Sequence, residues 1–199
     1  LHAGVMLVMQ DPEAPIMLLK VNDDPYSGIK TEDIAPGLGQ IGVMLPYTPL
    51  YSILLKKFGH PIIATSGNIS NSPIVFQDKK AKKELSQIAD YLLINNRGIV
   101  LPQDDSVVKF SVLKYQKIIL RRSRGMAPTY VNPDLNIPDT RILAMGAMLK
   151  STFTFVNQKN IYISQYLGDT DSFETQQSFK HSLEHFLEIL KSKPQVILA

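Results

Sequence analysis

The stretch Pro61-Ile-Ile-Ala-Thr-Ser-Gly-Asn-Ile-Ser70 joins a short apolar run to a loop of hydroxyl and amide side chains. The run from Ile62 to Ala64 has the composition of a buried strand. A polar loop at the end of such a strand is where open α/β sheets place ligands. Thr65 and Ser66 can donate hydrogen bonds to phosphate oxygens, and Asn68 offers both a donor and an acceptor. An ordinary strand-to-loop turn would show the same residues, and on them alone that interpretation is favoured.

A helix is predicted immediately before this loop. Thr48 and Pro49 are typical of an N-cap and a first helical position, and Gly59 is typical of a helix end. Four apolar residues at helical spacing predict one buried face: Leu50, Ile53, Leu54 and Phe58. Strands are predicted elsewhere in this half of the chain at Val5 to Met9, Pro15 to Val21, Ile41 to Leu45 and Tyr91 to Ile94.

The composition indicates a folded protein of one or two domains. The chain has 199 residues, of which 44% are hydrophobic, so a sizeable core can form. Cysteine is absent, which excludes disulfides, thiol nucleophiles and cysteine-based zinc sites and fits a cytoplasmic protein. No apolar run approaches the ~20 residues of a membrane span, so no membrane association is predicted.

Positive charge is concentrated between Lys109 and Tyr130, where six basic residues occur without an acidic one. Such a field suits phosphate, nucleotide or nucleic acid, although exposed strand edges also carry lysines. If Leu120 to Arg124 is extended, Arg122 and Arg124 lie on one face roughly 7 Å apart. Two guanidinium groups at that separation can bind a polyphosphate. The alternative is an exposed basic edge.

The pattern changes after a proline-rich segment from Pro128 to Thr140, which is predicted to be a linker. Three short strands are then predicted, followed by a helix capped by Asp171 or Ser172 and by a last strand at the C-terminus. Three antiparallel strands, a helix and a strand are the opening half of a ribonuclease-H-like layer. The predicted strands are Ile142 to Met145, Thr152 to Val156 and Ile161 to Ser164.

Two motifs are rejected as metal or acid–base sites. His181-Ser-Leu-Glu-His185 matches a metalloprotease pattern, but both histidines point away from the apolar face of the predicted helix. Asp104 and Asp105 alternate faces if they lie on a strand, so they would not converge on one ion.

Several segments together resemble the HypF family of hydrogenase-maturation carbamoyltransferases, in the same order and at similar spacing. The segments are Asp33-Ile-Ala-Pro-Gly-Leu-Gly-Gln-Ile-Gly-Val-Met-Leu-Pro46, Thr65-Ser-Gly-Asn-Ile-Ser70, Asn96-Arg97, Asp104-Asp-Ser-Val-Val108, Leu120-Arg-Arg-Ser-Arg-Gly125, Gly146-Ala-Met-Leu-Lys150 and Ser164-Gln-Tyr-Leu-Gly-Asp169.

The resemblance implies an α/β fold in two parts. Residues 1–135 would be a YrdC-like domain, a twisted mixed sheet with helices, without its N-terminal part. Residues 136–199 would begin a ribonuclease-H-like transferase domain of the ASKHA type. The first domain would convert carbamoyl phosphate and ATP, with Mg²⁺, to carbamoyl-adenylate. The second would pass the carbamoyl group to the C-terminal cysteine of the partner HypE, as the source of cyanide ligands for the [NiFe] centre of hydrogenases.

The resemblance also implies which side chains bind ATP or carbamoyl-adenylate, while it identifies no catalytic residue and places no metal ligand before Ala199. Three family positions differ here, since Pro102, Met126 and Tyr166 replace the usual Arg, Tyr and His. Two alternatives are an RNA- or nucleotide-binding module and an inactive scaffold that binds HypE. The implied binding residues are Thr65, Ser66, Asn68, Ser106, Arg122 and Arg124.

Overall fold

A computed structural model describes residues 3–21, 30–69, 72–131 and 136–199. These residues form a mixed α/β structure, as predicted, that divides into two compact units. The first unit contains Leu1–Ile63 and Asp105–Met126, and the second contains Ala64–Asp104 and Ala127–Ala199. The predicted domain boundary at residue 135 stays a prediction, since each compact unit is assembled from two separate stretches.

The first unit is built on a four-stranded sheet of order β2-β1-β3-β4. Strand β1 pairs antiparallel with β2 and parallel with β3, and β3 pairs antiparallel with β4, so the sheet is mixed. In chain order this unit contains α1 (Ala3–Gln10), β1 (Ile16–Lys20), α2 (Thr31–Ile34), β2 (Gln40–Val43), α3 (Pro49–Phe58), β3 (Val107–Phe110) and β4 (Lys117–Arg121).

The strand predicted at Val5 to Met9 is wrong, because this segment is the helix α1. A short apolar run does not distinguish a strand from a buried helix by periodicity. Val5 and Met9 are four residues apart, so they share one face of the helix, and there they pack with Met17 and Val108 in the core of the first unit.

The predicted ends of α3 are confirmed. The Thr48 hydroxyl accepts a hydrogen bond from the Tyr51 amide, and Gly59 ends the helix with a left-handed φ of 76°. The predicted burial of its apolar face is wrong, since Leu50 is 44% and Phe58 61% exposed. Helical spacing determines which side chains share a face, but burial requires a second surface, and the core cluster of the first unit does not include this face.

Three more local predictions are corrected by the structure. Neither Ile62 to Ala64 nor Tyr91 to Ile94 forms a strand, and neither segment pairs with a strand that the structure describes. Most of their apolar side chains are exposed. Strand β4 ends at Arg121, so Leu120 to Arg124 is not one extended strand.

The second unit is built on a five-stranded sheet of order β5-β8-β7-β6-β9. Strands β6, β7 and β8 are antiparallel, and β9 pairs parallel with β6, which is the order predicted for a ribonuclease-H-like layer. The elements are α4 (Asp78–Glu84), a 3-10 turn (Leu85–Gln87), β5 (Thr129–Val131), β6 (Ile142–Ala144), β7 (Thr154–Asn157), β8 (Asn160–Ile163), α5 (Phe173–Ile189) and β9 (Val196–Leu198).

Helix α5 covers this sheet as the sequence predicts. Ser172 is its N-cap and accepts a hydrogen bond from the Thr175 amide. Phe186 packs edge-to-face against Phe155 of β7, at 6.4 Å between ring centroids, and against Phe153, which directly precedes that strand, at 5.3 Å.

The predicted linker from Pro128 to Thr140 is wrong in its first part, because Thr129–Val131 forms β5 and pairs with β8. Residues 132–135 of that linker lie outside the described residues. Among the helices that the structure describes, none combines the length and apolar character that a membrane span requires.

Candidate functional site

Arg124, one of the predicted site residues, is extensively bonded to other protein groups. Its Nε donates to Oδ1 of Asp105 at 2.7 Å, and its two terminal nitrogens donate to the carbonyl oxygens of Glu13 at 3.1 Å and Ala14 at 2.8 Å. The guanidinium carbon also lies 3.6 Å from the ring centroid of Tyr47. All three nitrogens therefore have protein acceptors, and the guanidinium joins several segments of the first unit.

Ser106 is fully buried beside this arginine. Its hydroxyl donates to the Arg124 carbonyl and accepts from the Ser123 amide, both at 2.9 Å. The backbones of Asp105 and Arg124 form a parallel bridge at the same place. Asp105 and Ser106, which precede β3, are thus bound to Ser123 and Arg124, which follow β4.

Arg122 lies one residue beyond the end of β4 and is half-buried. The neighbouring Arg121 donates from Nε to the Asp105 carbonyl at 2.8 Å. Arg121 and Arg124 therefore both anchor the basic run to the segment before β3.

The titration of Tyr47 is clearly displaced. Burial, followed by the negative charge of Asp105, raises the pKa of Tyr47 to about 12, although the Arg124 guanidinium acts in the opposite direction. Tyr51 packs edge-to-face against it at 5.3 Å between centroids. Tyr47 is therefore a neutral ring against which the arginine stacks.

The hydroxyl loop, Thr65 to Ile69, belongs to the second unit and is mostly exposed. Ser66 Oγ donates to Asn68 Oδ1 at 2.5 Å, and the Asn68 amide donates to the carbonyl oxygens of Ile69 and Ser72 at 3.1 and 2.9 Å. Asn68 therefore fixes the loop's shape from within. The structure brings Ser66 and Asn68 together in this unit, and it brings Ser106 and Arg124 together in the other.

A cavity of about 310 Å³ in the second unit was not predicted from the sequence. Its wall includes two hydroxyl side chains and the start of α5. Gly146 lies in the wall with φ of +74°, and a Cβ there would overlap the Thr152 carbonyl oxygen. A glycine followed by lysine and hydroxyl residues between two strands is the signal that could have indicated it. The lining residues are Met145, Gly146, Ala147, Met148, Ser151, Thr170, Gln176 and Phe179.

The loop after β8 closes one side of this cavity. The Lys150 amide donates to Asp169 Oδ1 at 2.6 Å, and the Ser151 amide donates to the Gly168 carbonyl at 2.8 Å. In the part of the chain that the structure describes, no three His, Asp or Glu side chains are placed to hold a metal ion. His181 instead lies with Nε2 3.3 Å from the Val100 carbonyl oxygen.

Two family models match the chain in succession. The Sua5_yciO_yrdC model, described as telomere recombination, matches residues 7–123, and the HypF Kae1-like domain matches residues 138–199. The carbamoyltransferase HypF of Synechocystis is 40% identical over 193 residues, which are 96% of this chain and 24% of that protein. The probable carbamoyltransferase HypF of Methanocaldococcus jannaschii is 37% identical over 175 residues, which are 88% and 22% of the two chains.

Solved structures agree with the sequence matches. A crystal structure of full-length HypF in the phosphate- and nucleotide-bound form superimposes with a TM-score of 0.88 and 32% identity, over 99% of this chain and 30% of that one. The crystal structure of T. kodakarensis HypF superimposes with a TM-score of 0.85 and 34% identity, over 96% of this chain and 24% of that one. The chain spans about a quarter of the length of the curated relatives that it matches. The chain therefore belongs to the Sua5–YciO–YrdC family, and its sequence and structure homologues are HypF carbamoyltransferases.

Proposed function

We propose that this protein takes part in ATP-dependent carbamoyl transfer, in which carbamoyl phosphate and ATP are converted to carbamoyl-adenylate. The carbamoyl group then passes to the C-terminal cysteine of HypE, for the cyanide ligands of [NiFe] hydrogenases. The observation that carries the proposal is the match, at a TM-score of 0.88, to a HypF structure with bound phosphate and nucleotide.

In the proposed reaction, water first cleaves carbamoyl phosphate to carbamate and inorganic phosphate. A carbamate oxygen then attacks the α-phosphorus of ATP, and the bond from that phosphorus to pyrophosphate breaks. This reaction needs aligned reactants, neutralised phosphate charge and exclusion of water more than it needs covalent catalysis. In this proposal Thr65, Ser66 and Asn68, in the exposed hydroxyl loop of the second unit, can each bind a ligand oxygen. Arg122, which belongs to the first unit, can neutralise phosphate charge. Mg²⁺ would be held mainly by the phosphate oxygens of ATP.

Ser106 and Arg124 would support the ligand-binding residues. Both have their polar atoms bonded to protein groups, so direct contact with a phosphate would first require the release of one of these bonds. We therefore place them behind the phosphate-facing surface, where they hold the turn after β4 in which Arg122 lies.

The cavity lined by Gly146 is the second place at which the protein would bind phosphate. Ser151 supplies a hydroxyl group in the wall, and Thr170, whose hydroxyl donates to the Met148 carbonyl, supplies an acceptor. The match of residues 138–199 to the HypF Kae1-like domain supports a role for this cavity in the transfer half of the reaction.

The test is carbamoyl-phosphate-dependent exchange of labelled pyrophosphate into ATP by the purified protein. We expect exchange with carbamoyl phosphate and none when it is omitted. Labelled carbamoyl should then reach HypE but not a HypE variant with its C-terminal cysteine changed to serine. Folded protein that binds HypE without supporting exchange would instead be the inactive scaffold, and salt-sensitive RNA binding without exchange would indicate the RNA-binding module.

A further inference from the structure

The segment Val100 to Gln103 is bonded to a distant part of the chain through side-chain groups. Gln165 donates from Nε2 to the Pro102 carbonyl oxygen at 2.8 Å, in a part-buried position. His181 on α5 lies 3.3 Å from the Val100 carbonyl oxygen. Gln165 follows Pro102 by 63 residues, so these contacts cross-link distant parts of the sequence within the second unit.

These contacts join the two regions that the family models recognise. Val100 and Pro102 lie in the region matched by the first model, residues 7–123, whereas Gln165 and His181 lie in the region matched by the HypF Kae1-like domain, residues 138–199. Gln103 also donates to the carbonyl of Ala127, which lies between the two matched regions, at 3.2 Å. The segment is thus held by the Kae1-like region although its sequence belongs to the first model.

Gln165 is itself rigidly seated. The preceding Ser164 is buried, and its hydroxyl accepts from the Phe153 amide and donates to the Gln165 carbonyl, both at 2.9 Å. Two residues after Gln165, the Leu167 amide donates to the carbonyl of Ser151, which lines the cavity. The side chain that holds Pro102 therefore projects from a backbone that is fixed on both sides.

The segment Val100 to Gln103 is followed, after Asp104, by Asp105 and Ser106. Asp105 pairs with Arg124, and Ser106 bonds the turn that follows β4. The position of Pro102 limits where the next few residues can lie, because each residue of chain spans at most about 3.6 Å.

We propose that Gln165 is a positioning residue, which holds the Pro102 carbonyl and thereby sets the path of the chain into the Asp105–Ser106 segment. Its effect on catalysis rests on the proposed function, whereas its effect on the segment does not. In this role Gln165 would act without contacting substrate.

The test compares Gln165→Glu with Gln158→Glu in the purified protein. Both changes add one negative charge, but Gln158 is exposed at the turn between β7 and β8. Glutamate at 165 keeps the shape of the side chain and removes the donor. We expect hydrogen exchange of the 100–106 peptide, measured by mass spectrometry without ligand, to become about 5-fold faster in Gln165→Glu and to stay unchanged in Gln158→Glu.

Pyrophosphate exchange supplies a second measurement. We expect kcat to fall about 5-fold in Gln165→Glu, with the KM for ATP and the melting temperature close to those of Gln158→Glu. Unchanged hydrogen exchange at 100–106 would overturn the positioning role, even if the wild-type enzyme is active. Absence of pyrophosphate exchange in the wild type would overturn the proposed function, while the hydrogen-exchange comparison still decides the role of Gln165.

Discussion

Arg124 Nε lies 2.7 Å from Oδ1 of Asp105, and this ion pair joins the segment before β3 to the segment after β4. The side chains are 20% and 26% exposed, so water only partly screens the pair. The two terminal nitrogens of the guanidinium donate to backbone carbonyls, and its face lies over the Tyr47 ring. These contacts determine what a mutation at Arg124 should do, because an arginine that only bound phosphate could be removed with little effect on stability.

We expect Arg124→Ala to destabilise the protein by about 2 to 4 kcal/mol, since it leaves the Asp105 carboxylate and two carbonyls without their donor. Arg97→Ala is the matched control, because Arg97 is an exposed arginine in a turn. Urea unfolding measures both changes. Equal unfolding midpoints for the two variants would show that the Arg124 contacts contribute nothing to stability.

Arg122→Ala should behave differently from Arg124→Ala. If Arg122 neutralises phosphate, as proposed, its removal should weaken ATP binding about 10-fold or more, an effect that is not expected of a purely structural arginine. Calorimetric titration with ATP and thermal unfolding separate the two effects. A fall in melting temperature with unchanged ATP affinity would give Arg122 a structural role and remove it from the proposed site.

Stability should fall at high pH through Tyr47. The folded protein raises the pKa of Tyr47 from 10.0 to about 12, chiefly by burial, so its phenol stays protonated to higher pH than in the unfolded chain. The resulting stabilisation is fully present below pH 10 and is lost as pH rises through 12. We expect the wild type to lose more stability between pH 9 and about 11 than Tyr47→Phe does.

Urea unfolding at the two pH values measures this difference, and Tyr91→Phe is the control because Tyr91 is 93% exposed. An identical loss of stability in the wild type and in Tyr47→Phe would mean that Tyr47 does not contribute to the pH dependence.

Three glycines should rank in a defined order when each is changed to alanine. Gly98 has open space and an ordinary φ, so Gly98→Ala should be nearly neutral. Gly37 has φ of +69° and open space, so Gly37→Ala should cost about 1 kcal/mol from backbone strain alone. Gly146 combines φ of +74° with overlap of a Cβ on the Thr152 carbonyl, so Gly146→Ala should cost about 3 kcal/mol or more.

Thermal unfolding of the three variants tests this order. If Gly146→Ala is no more destabilising than Gly37→Ala, the close approach of Thr152 to Gly146 does not exist in solution.

The part of the second unit from β6 to β9 could be predicted from the sequence more completely than the rest of the chain. Strands β6, β7 and β8 and helix α5 occur within about 50 residues. Each of these strands pairs with the next one along the chain. The face of α5 that contains Phe186 is buried as predicted because the sheet that it covers comes from these same strands. In the first unit, burial depends on partners that are distant in sequence, so the apolar spacing of α3 predicted a shared face but not its exposure.

The same distinction applies to the candidate site. Ser66 and Asn68 are two residues apart, and their hydrogen bond could be anticipated from a polar loop. Arg124 contacts Asp105, 19 residues away, and Ala14, 110 residues away, and no spacing rule relates these positions. Alternation along an assumed strand indicated a shared face for Arg122 and Arg124, but the strand ends before both of them.

The shape of the hydroxyl loop should depend on Asn68 more than on Ser66. Asn68 bridges three groups within the loop, because it accepts from Ser66 and donates to the Ile69 and Ser72 carbonyls. Asn68→Asp keeps the acceptor for Ser66 but loses both donated hydrogen bonds, whereas Ser66→Ala loses only the bond to Asn68. We therefore expect Asn68→Asp to reduce pyrophosphate exchange about 10-fold or more and Ser66→Ala to reduce it less. The loop is exposed, so both variants should keep a melting temperature near that of the control Asn95→Ala. Asn95 lies in a separate exposed turn, where its side chain accepts a hydrogen bond from the Arg97 amide. If Asn68→Asp catalysed pyrophosphate exchange at the wild-type rate, the hydrogen bonds within this loop would not be required for the reaction.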